Sequence, residues 1–228
     1  MQVFHIHVLE GPEVAGDNVT LQNHTFNPSI IREYDVRGVV GETLDFIDAH
    51  VLGRSFGSEI KENGGCRVCV GYDGRLSSPG MERALVDGLI STGVTVNRIG
   101  LGPSPMLYFA GATTGADGGV MVTGSHNPPS HNGFKFIYQN KPFYGVAITN
   151  LAKRAADGRF VDGIGIENNV AVLQEYIKRI LFDFSSNREL TVVWDPGNGA
   201  AGEVVSSIAK LLPGRHLVIN GKIDGTFP

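Results

Sequence analysis

The chain lacks any long apolar run. No stretch approaches the roughly 18 uncharged apolar residues that a bilayer-spanning helix requires, so a membrane partner is not expected. It also lacks a basic surplus: 19 Lys and Arg stand against 23 Asp and Glu, a net charge of -4. That balance offers no general field for nucleic acid or an anionic membrane surface. The N-terminal MQVFHIHVLEGPE has no basic segment and is interrupted by His5 and His7, so a secretory signal is not expected and a cytoplasmic protein is. Cysteine is scarce. Cys66 and Cys69 form a C-x-x-C that overlaps the strand-like RVCVGYDG, where residues three apart face opposite sides. Two buried structural cysteines are expected there, not a redox dithiol at a helix N-terminus, and no disulfide is implied.

What the chain has in excess is glycine, 31 of 228 residues, about twice the usual share of roughly 7%. Without a collagen-like period or a low-complexity tract, these glycines read as turns and helix ends. The length suffices for one large domain or two small ones. Residues 1–25 are poorly patterned; VFHIHV could form an edge strand whose His5 and His7 share a face, but no third metal ligand is in view. From Thr43 a helical pattern carries Leu44, Ile47, Val51, Leu52, Phe56 and Ile60 up to Asn63-Gly64-Gly65. A strand over 67–72 follows, then Ser78-Pro79 as a helix start, with Ser78 as cap, and a helix to Gly93. The order continues with a strand over 94–99, a short helix from Ser104-Pro105, strands at 120–122 and 134–138, helices near 146–156 and 169–182, and the strand TVVWD. This alternation predicts an α/β protein, a mixed and mainly parallel sheet sandwiched by helices.

An internal echo supports a repeated unit. VGYDG, helix, VTVNRIG is matched by VVWDPG, helix, RHLVING. Asp73 and Asp195 lie 122 residues apart, Gly93 and Gly214 121, and Gly100 and Gly221 121. The second copy is expected to be incomplete, because the counterpart of the loop after Val122 would fall beyond Pro228.

The most pointed stretch is VMVTGSHNPPSHNGFKF. Val120-Met121-Val122 reads as a buried strand, Thr123-Gly124 stops it, and Pro128-Pro129 keeps helix and ladder from resuming. Ser125 is thus expected on a stiff loop at a strand end. A nucleophile elbow is excluded, since Thr123 and Asn127 occupy both glycine positions of G-x-S-x-G. Phosphoryl transfer fits better: backbone N–H groups, a hydroxyl, His126, Asn127 and, ten residues on, Lys135 can position and clamp a phosphate. An Asx-type turn whose polar groups only satisfy the loop stays open on chemistry alone. In REYDVRGVVG, Tyr34, Asp35, Arg37 and Gly38 could present a guanidinium to a phosphate, or could simply form a surface Arg–Asp pair holding a turn.

Taken together, FNPSIIREYDVRGVVGETL and VMVTGSHNPPSHNGFKF strongly resemble the α-D-phosphohexomutases, in particular the bacterial phosphomannomutase/phosphoglucomutase branch. WDPGNGAAG and NGKIDGTFP look like that branch's second domain. The resemblance runs from about Thr25 to Pro228. It implies that Ser125 carries a phosphate, donates it to a hexose monophosphate, and recovers the other phosphate from a bound hexose 1,6-bisphosphate. Net exchange between O1 and O6 of glucose or mannose results. By position, it implies that Arg37 and Lys135 assist at the phosphoserine and that His126 and Asn127 orient the loop. Tyr34 would line the substrate site, and a phosphate oxygen on Ser125 would bind Mg²⁺. Phosphoglucosamine mutases, with a GTDGIRG-like opening and an ASHNP-like loop, are a weaker match.

The departures from the family matter too. The family's aspartate-rich DGDGDR-like metal loop does not occur in the sequence, nor do the later sugar-recognition loop and the phosphate-binding C-terminal domain. The expected organisation is therefore an extension (1–25), phosphohexomutase domain I with the serine loop (26–165) and an incomplete domain II (166–228). Such a chain is expected to be inactive alone, with a missing C-terminal portion as its partner. The rival is a non-enzymatic remnant that at most binds sugar phosphate.

Overall fold

A computed structural model describes residues 23–228. The edge strand expected around VFHIHV, with its His5 and His7, lies outside the described residues. The described chain runs β1 (Val36–Val39), α1 (Phe46–Glu62), β2 (Arg67–Tyr72), α2 (Ser78–Ile90), β3 (Thr95–Leu101), α3 (Ser104–Thr113), β4 (Gly118–Val122), β5 (His131–Tyr138), β6 (Lys141–Phe143) and α4 (Val146–Ala156). It continues with β7 (Ile166–Asn169), α5 (Leu173–Leu181), β8 (Leu190–Trp194), α6 (Gly202–Ala209) and β9 (Gly214–Val218).

The main sheet has the order β1-β5-β4-β2-β3-β7, and β6 joins β1 along the free edge of β5. Strands β4, β2, β3 and β7 pair in parallel. β5 is antiparallel to each of its neighbours β1, β4 and β6. Six strands therefore point one way and β5 alone runs against them, which makes the sheet mixed but mainly parallel. Alternating side chains feed two cores. Val68, Val70, Val96, Val120 and Val122 meet α1, α2 and α4 on one face. Cys69, Ile99 and Met121 meet Met106, Leu107 and Ala110 of α3 on the other. A second, two-stranded parallel sheet pairs β8 with β9, from Leu190 opposite Gly214 to Trp194 opposite Val218. Like β2 with β3, this pair is parallel. Gly93 and Gly214, which stand at matched positions, both have positive φ, 83° and 102°.

Several element starts differ from expectation. α1 begins at Phe46, because Asp45 and Asp48 form a reciprocal capping box there. The Thr43 hydroxyl is held in the preceding turn, accepting from the Val39 N–H at 2.9 Å. Ser78 does not cap α2: Ser77 stands at the cap position without a side-chain bond, and the Ser78 hydroxyl donates instead to Asp73 at 2.6 Å. Likewise α3 starts at Ser104 itself, behind Pro103. The helix expected near 169–182 starts later, at Leu173. Residues 166–169 are drawn out of it because their backbone pairs with the open edge of β3. Only Cys69 of the two cysteines is buried. Cys66 precedes β2 and is exposed, and both are free thiols. No helix among the described residues is long and apolar enough to cross a membrane.

The two helices on the same face, α1 and α2, pack with almost no space between their backbones. A Cβ on Gly88 would overlap the His50 carbonyl, and one on Gly53 the Leu85 carbonyl. Backbone cannot yield as a flexible side chain can, so Gly88→Ala is expected to destabilise the fold by about 3 kcal/mol despite alanine's better helix propensity. Urea denaturation checks this; an unchanged or raised midpoint would contradict it.

Candidate active site

Right-handed crossovers explain where the site lies. The chain passes from β2 to β3 on one side, then back across β2 to β4, so α2 and α3 fall on opposite faces of the sheet. From β4 it moves away again, to β5. The carboxyl ends of β2 and β4 therefore border a crevice at a topological switch point, the usual ligand position in open α/β sheets. Two loops leave the sheet there: Asp73-Gly74-Arg75 after β2 and Thr123-Gly124-Ser125 after β4.

These loops are tied together through buried polar groups. Both oxygens of Asp73 are engaged. One accepts from Thr123 Oγ1 at 2.7 Å and Arg75 Nε at 3.1 Å, and the other from Ser78 Oγ at 2.6 Å and the Arg75 N–H at 3.1 Å. Thr123 Oγ1 in turn accepts from the Ser125 N–H at 2.8 Å. Arg75 is only 2% exposed. Its Nη1 donates to the carbonyls of Pro128 (2.6 Å) and His131 (2.9 Å). Its Nη2 donates to those of Ser125 (2.9 Å) and Asn127 (2.8 Å). With Nε on Asp73, all five guanidinium protons are placed. Gly124 leaves room for this, since a Cβ there would collide with the guanidinium.

Ser125 is exposed at the tip of the loop, with φ of 55°. The Asn127 N–H closes a turn on the Gly124 carbonyl at 3.1 Å, so Ser125 takes the second turn position with positive φ, where glycine is favoured. His126 is exposed, with Nδ1 3.4 Å from Ser125 Oγ. Asn127 Oδ1 accepts from Arg37 Nη1 at 2.7 Å, and Arg37 Nη2 donates to Asp35. Lys135 Nζ also donates to Asp35 Oδ2, at 2.9 Å. Three of the residues singled out in the sequence, Asn127, Arg37 and Lys135, are thus linked through Asp35, and Ser125 joins them through Arg75, which holds the carbonyls of both Ser125 and Asn127. Asp35 and Arg37 are not the surface pair expected from a turn: they are 6% and 7% exposed. Antiparallel pairing sets Arg37 of β1 against Gly133 of β5, and this places the pair beside Lys135 on the same strand. Tyr34 is 70% exposed, its ring 5.8 Å from that of Tyr144.

Burial alone would raise the Asp35 carboxyl, but hydrogen bonds and charge from Lys135 and then Arg37 outweigh it and hold the group below the usual aspartate range. Arg37 Nε is buried with no partner, so the cation is not saturated by the protein.

Several cavities adjoin the site. One of about 220 Å³ is bordered by Asp73, Ser104, Thr123, Ser125, Pro196 and Phe227, between the main sheet and the β8–β9 unit. Another, about 460 Å³ and mostly apolar, runs from Lys135 past Tyr34, Tyr108, Phe143 and Tyr144. Ser125 lines the smaller of these and also a third, about 380 Å³, with His126, Asn127 and Pro128; these two, not the larger apolar one, adjoin the serine. Among the described residues, no group of three or more His, Cys, Asp or Glu could hold a metal ion. With both Asp73 oxygens engaged, the residues present do not by themselves fit Mg²⁺.

Residues 28–159 match the family model of phosphoglucomutase/phosphomannomutase, alpha/beta/alpha domain I. The chain belongs to this family. A Pseudomonas aeruginosa protein named phosphomannomutase/phosphoglucomutase is 38% identical over 209 residues, which cover 92% of this chain and 45% of that protein. A Neisseria meningitidis phosphoglucomutase is 34% identical, over 87% of this chain and 44% of its own length. The crystal structure of a phosphoglucomutase/phosphomannomutase family protein from Burkholderia thailandensis superposes with a TM-score of 0.85 at 42% identity, over 90% of this chain and 46% of that one. The chain thus spans about half the length of the relatives it matches. The residues that sequence reasoning passed over are Asp73, used only as a landmark of the echo, and Arg75. A signal was present: DGR directly follows a strand, as TGS does.

Two outcomes are expected. Ser125→Gly should relieve the positive φ and stabilise the fold by up to about 1 kcal/mol, whereas Ser125→Ala should not. Thermal denaturation of both separates these cases. Because the Asp35 carboxyl lies below its unfolded value, the stability it contributes is present above about pH 4 and is lost as pH falls through the folded value. Asp35→Asn should cost about 3 kcal/mol at neutral pH by leaving Arg37 and Lys135 unpaired. That difference should shrink below pH 4 in urea titrations; a pH-independent difference would exclude the linkage.

Proposed function

We propose that this chain is the phosphoserine-bearing part of a hexose-phosphate mutase. The observation that carries the reading is Ser125: an exposed hydroxyl on a loop fixed by buried groups, at the switch point of the sheet, within a connected set that includes Arg37, Asn127 and Lys135. A phosphate on Ser125 would be added to a set in which Asp35 already holds the Arg37 and Lys135 cations. Phosphoryl transfer asks mainly for such positioning and charge stabilisation.

In the proposed step, a hydroxyl of a bound hexose monophosphate attacks the phosphorus on Ser125. The new O–P bond forms as the bond to Oγ breaks, and the electron pair stays on Oγ. The hydroxyl proton passes to Oγ as that bond breaks, with Lys135 assisting, and in the return step it passes back. Arg37 cannot exchange a proton and is assigned charge stabilisation. Asn127 holds Arg37, His126 flanks Oγ, and Tyr34 offers an exposed ring at the substrate side. The hexose 1,6-bisphosphate so formed would reorient and return its other phosphate to the same serine, exchanging phosphate between O1 and O6 of glucose or mannose. Mg²⁺ belongs to this reading only as a companion of the serine phosphate.

The domain division stays part of the proposal: an α/β unit from residue 26 to about 165, extended at its sheet edge by β7, and a second unit around β8 and β9. That the chain spans about half of its relatives favours a second reading. In it, this chain supplies the serine and the sugar-phosphate contacts, and transfer awaits groups outside it.

Intact mass of the protein from its natural host, with fragmentation across residues 118–138, tests the proposal. One phosphate on Ser125 is expected. An unmodified Ser125 at every mass found would remove the phosphoserine reading, and a phosphorylated chain of 228 residues with no mutase activity would favour the second reading.

A further inference from the structure

Arg75 touches no group assigned to the transfer, yet it determines how the serine loop presents itself. Its four terminal protons go to carbonyls of residues 125, 127, 128 and 131, within a loop that has no regular hydrogen-bond ladder. Every peptide bond among the described residues is trans, and a trans unit points its C=O and N–H in opposite directions. Drawing the Ser125 carbonyl inward onto Arg75 therefore turns the next N–H, that of His126, away from Arg75. Two of the other anchored carbonyls, those of Asn127 and Pro128, precede prolines and so belong to peptide units without an N–H. The last, of His131, belongs to β5. Within the loop, the His126 N–H is the donor that the clamp aims. The imidazole of His126 already lies beside Ser125 Oγ, at 3.4 Å. Turns with a positive-φ residue set backbone N–H groups into anion-binding concavities.

We infer that Arg75 is a positioning residue whose hold on the Ser125 carbonyl aims the His126 backbone N–H at a phosphate carried by Ser125. The inference rests on the proposed function for the presence of that phosphate, but not on the chain loading itself. Asp73 shares the task by fixing Arg75 Nε and, through Thr123, the Ser125 N–H. Lysine cannot replace Arg75, because a single ammonium has three donors and no planar fork to span four carbonyls and a carboxylate.

The test uses the whole 228-residue chain, ¹⁵N-labelled, with phosphoserine placed at position 125 during synthesis, compared with the unmodified chain. In the native background the His126 amide proton should move downfield on phosphorylation, as expected for an N–H that donates to a phosphate. In Arg75→Lys that movement should be lost, while the amides of β2 and β4 keep their native positions. Gly124→Ala serves as a second variant: it keeps Arg75 but pushes the guanidinium out of place, and should lose the same movement. A native-sized movement in either folded variant would overturn the inference, as would no movement in the native chain. Neither result bears on whether Ser125 is phosphorylated in the host, which the mass measurement decides separately.

Discussion

The serine loop depends on a single buried guanidinium. A segment that contains two consecutive prolines cannot satisfy its own carbonyls with a ladder, and a buried carbonyl left without a partner costs about 1–3 kcal/mol. Arg75 meets four such carbonyls at once, and Asp73 offsets its charge within the same interior. Removing either partner would strand the other charge in a largely buried position, which is why this pair constrains the loop far more than an exposed ion pair could. The positive φ of Ser125, a strain on the order of 1–3 kcal/mol for a non-glycine residue, persists because this surrounding network over-determines it.

A second constraint acts on charge. Arg37 and Lys135 approach each other only because Asp35 bridges them, and one Asp35 oxygen serves both. The arrangement keeps one net positive charge against Asn127 of the serine loop, with the Arg37 Nε proton still unmatched by protein. An incoming phosphate thus meets a field already in place. The neighbouring ion pairs serve other ends. Arg98 on Glu82 ties α2 to β3, and Arg154 on Glu59 and Glu62 ties α4 to α1. They lie away from the serine loop.

Much of this was legible in the sequence, and the reasons for the gaps are physical. Strands with runs such as RVCVGY and GGVMV announce themselves by composition, and so does the α/β alternation. Helix starts differ from the sequence pattern where side chains find partners the pattern does not show: Ser78 is drawn to Asp73, and the Asp45–Asp48 capping box starts α1 at Phe46 and not at Thr43. The strand Ile166–Asn169 carries no apolar pattern, because an edge strand gains its place from backbone pairing with β3. Around the site, the residue types of the serine loop pointed to phosphate chemistry, and the family resemblance named the positions. The burial of Asp35 and the reach of Arg75 were not readable. Both follow from pairing between residues far apart in the chain, such as Arg37 with Gly133 and Arg75 with His131, which local pattern does not encode.

That remoteness has a consequence for how the molecule comes into being. Units such as β2–α2–β3 join neighbours in sequence and can form as they leave the ribosome. β1 has no partner until β5 appears. The bonds that define the cationic cluster close loops of 90 and 100 residues, and long loops close slowly and late. The region suited to hold phosphate is therefore among the last parts of the first unit to assemble, on a scaffold that is already built.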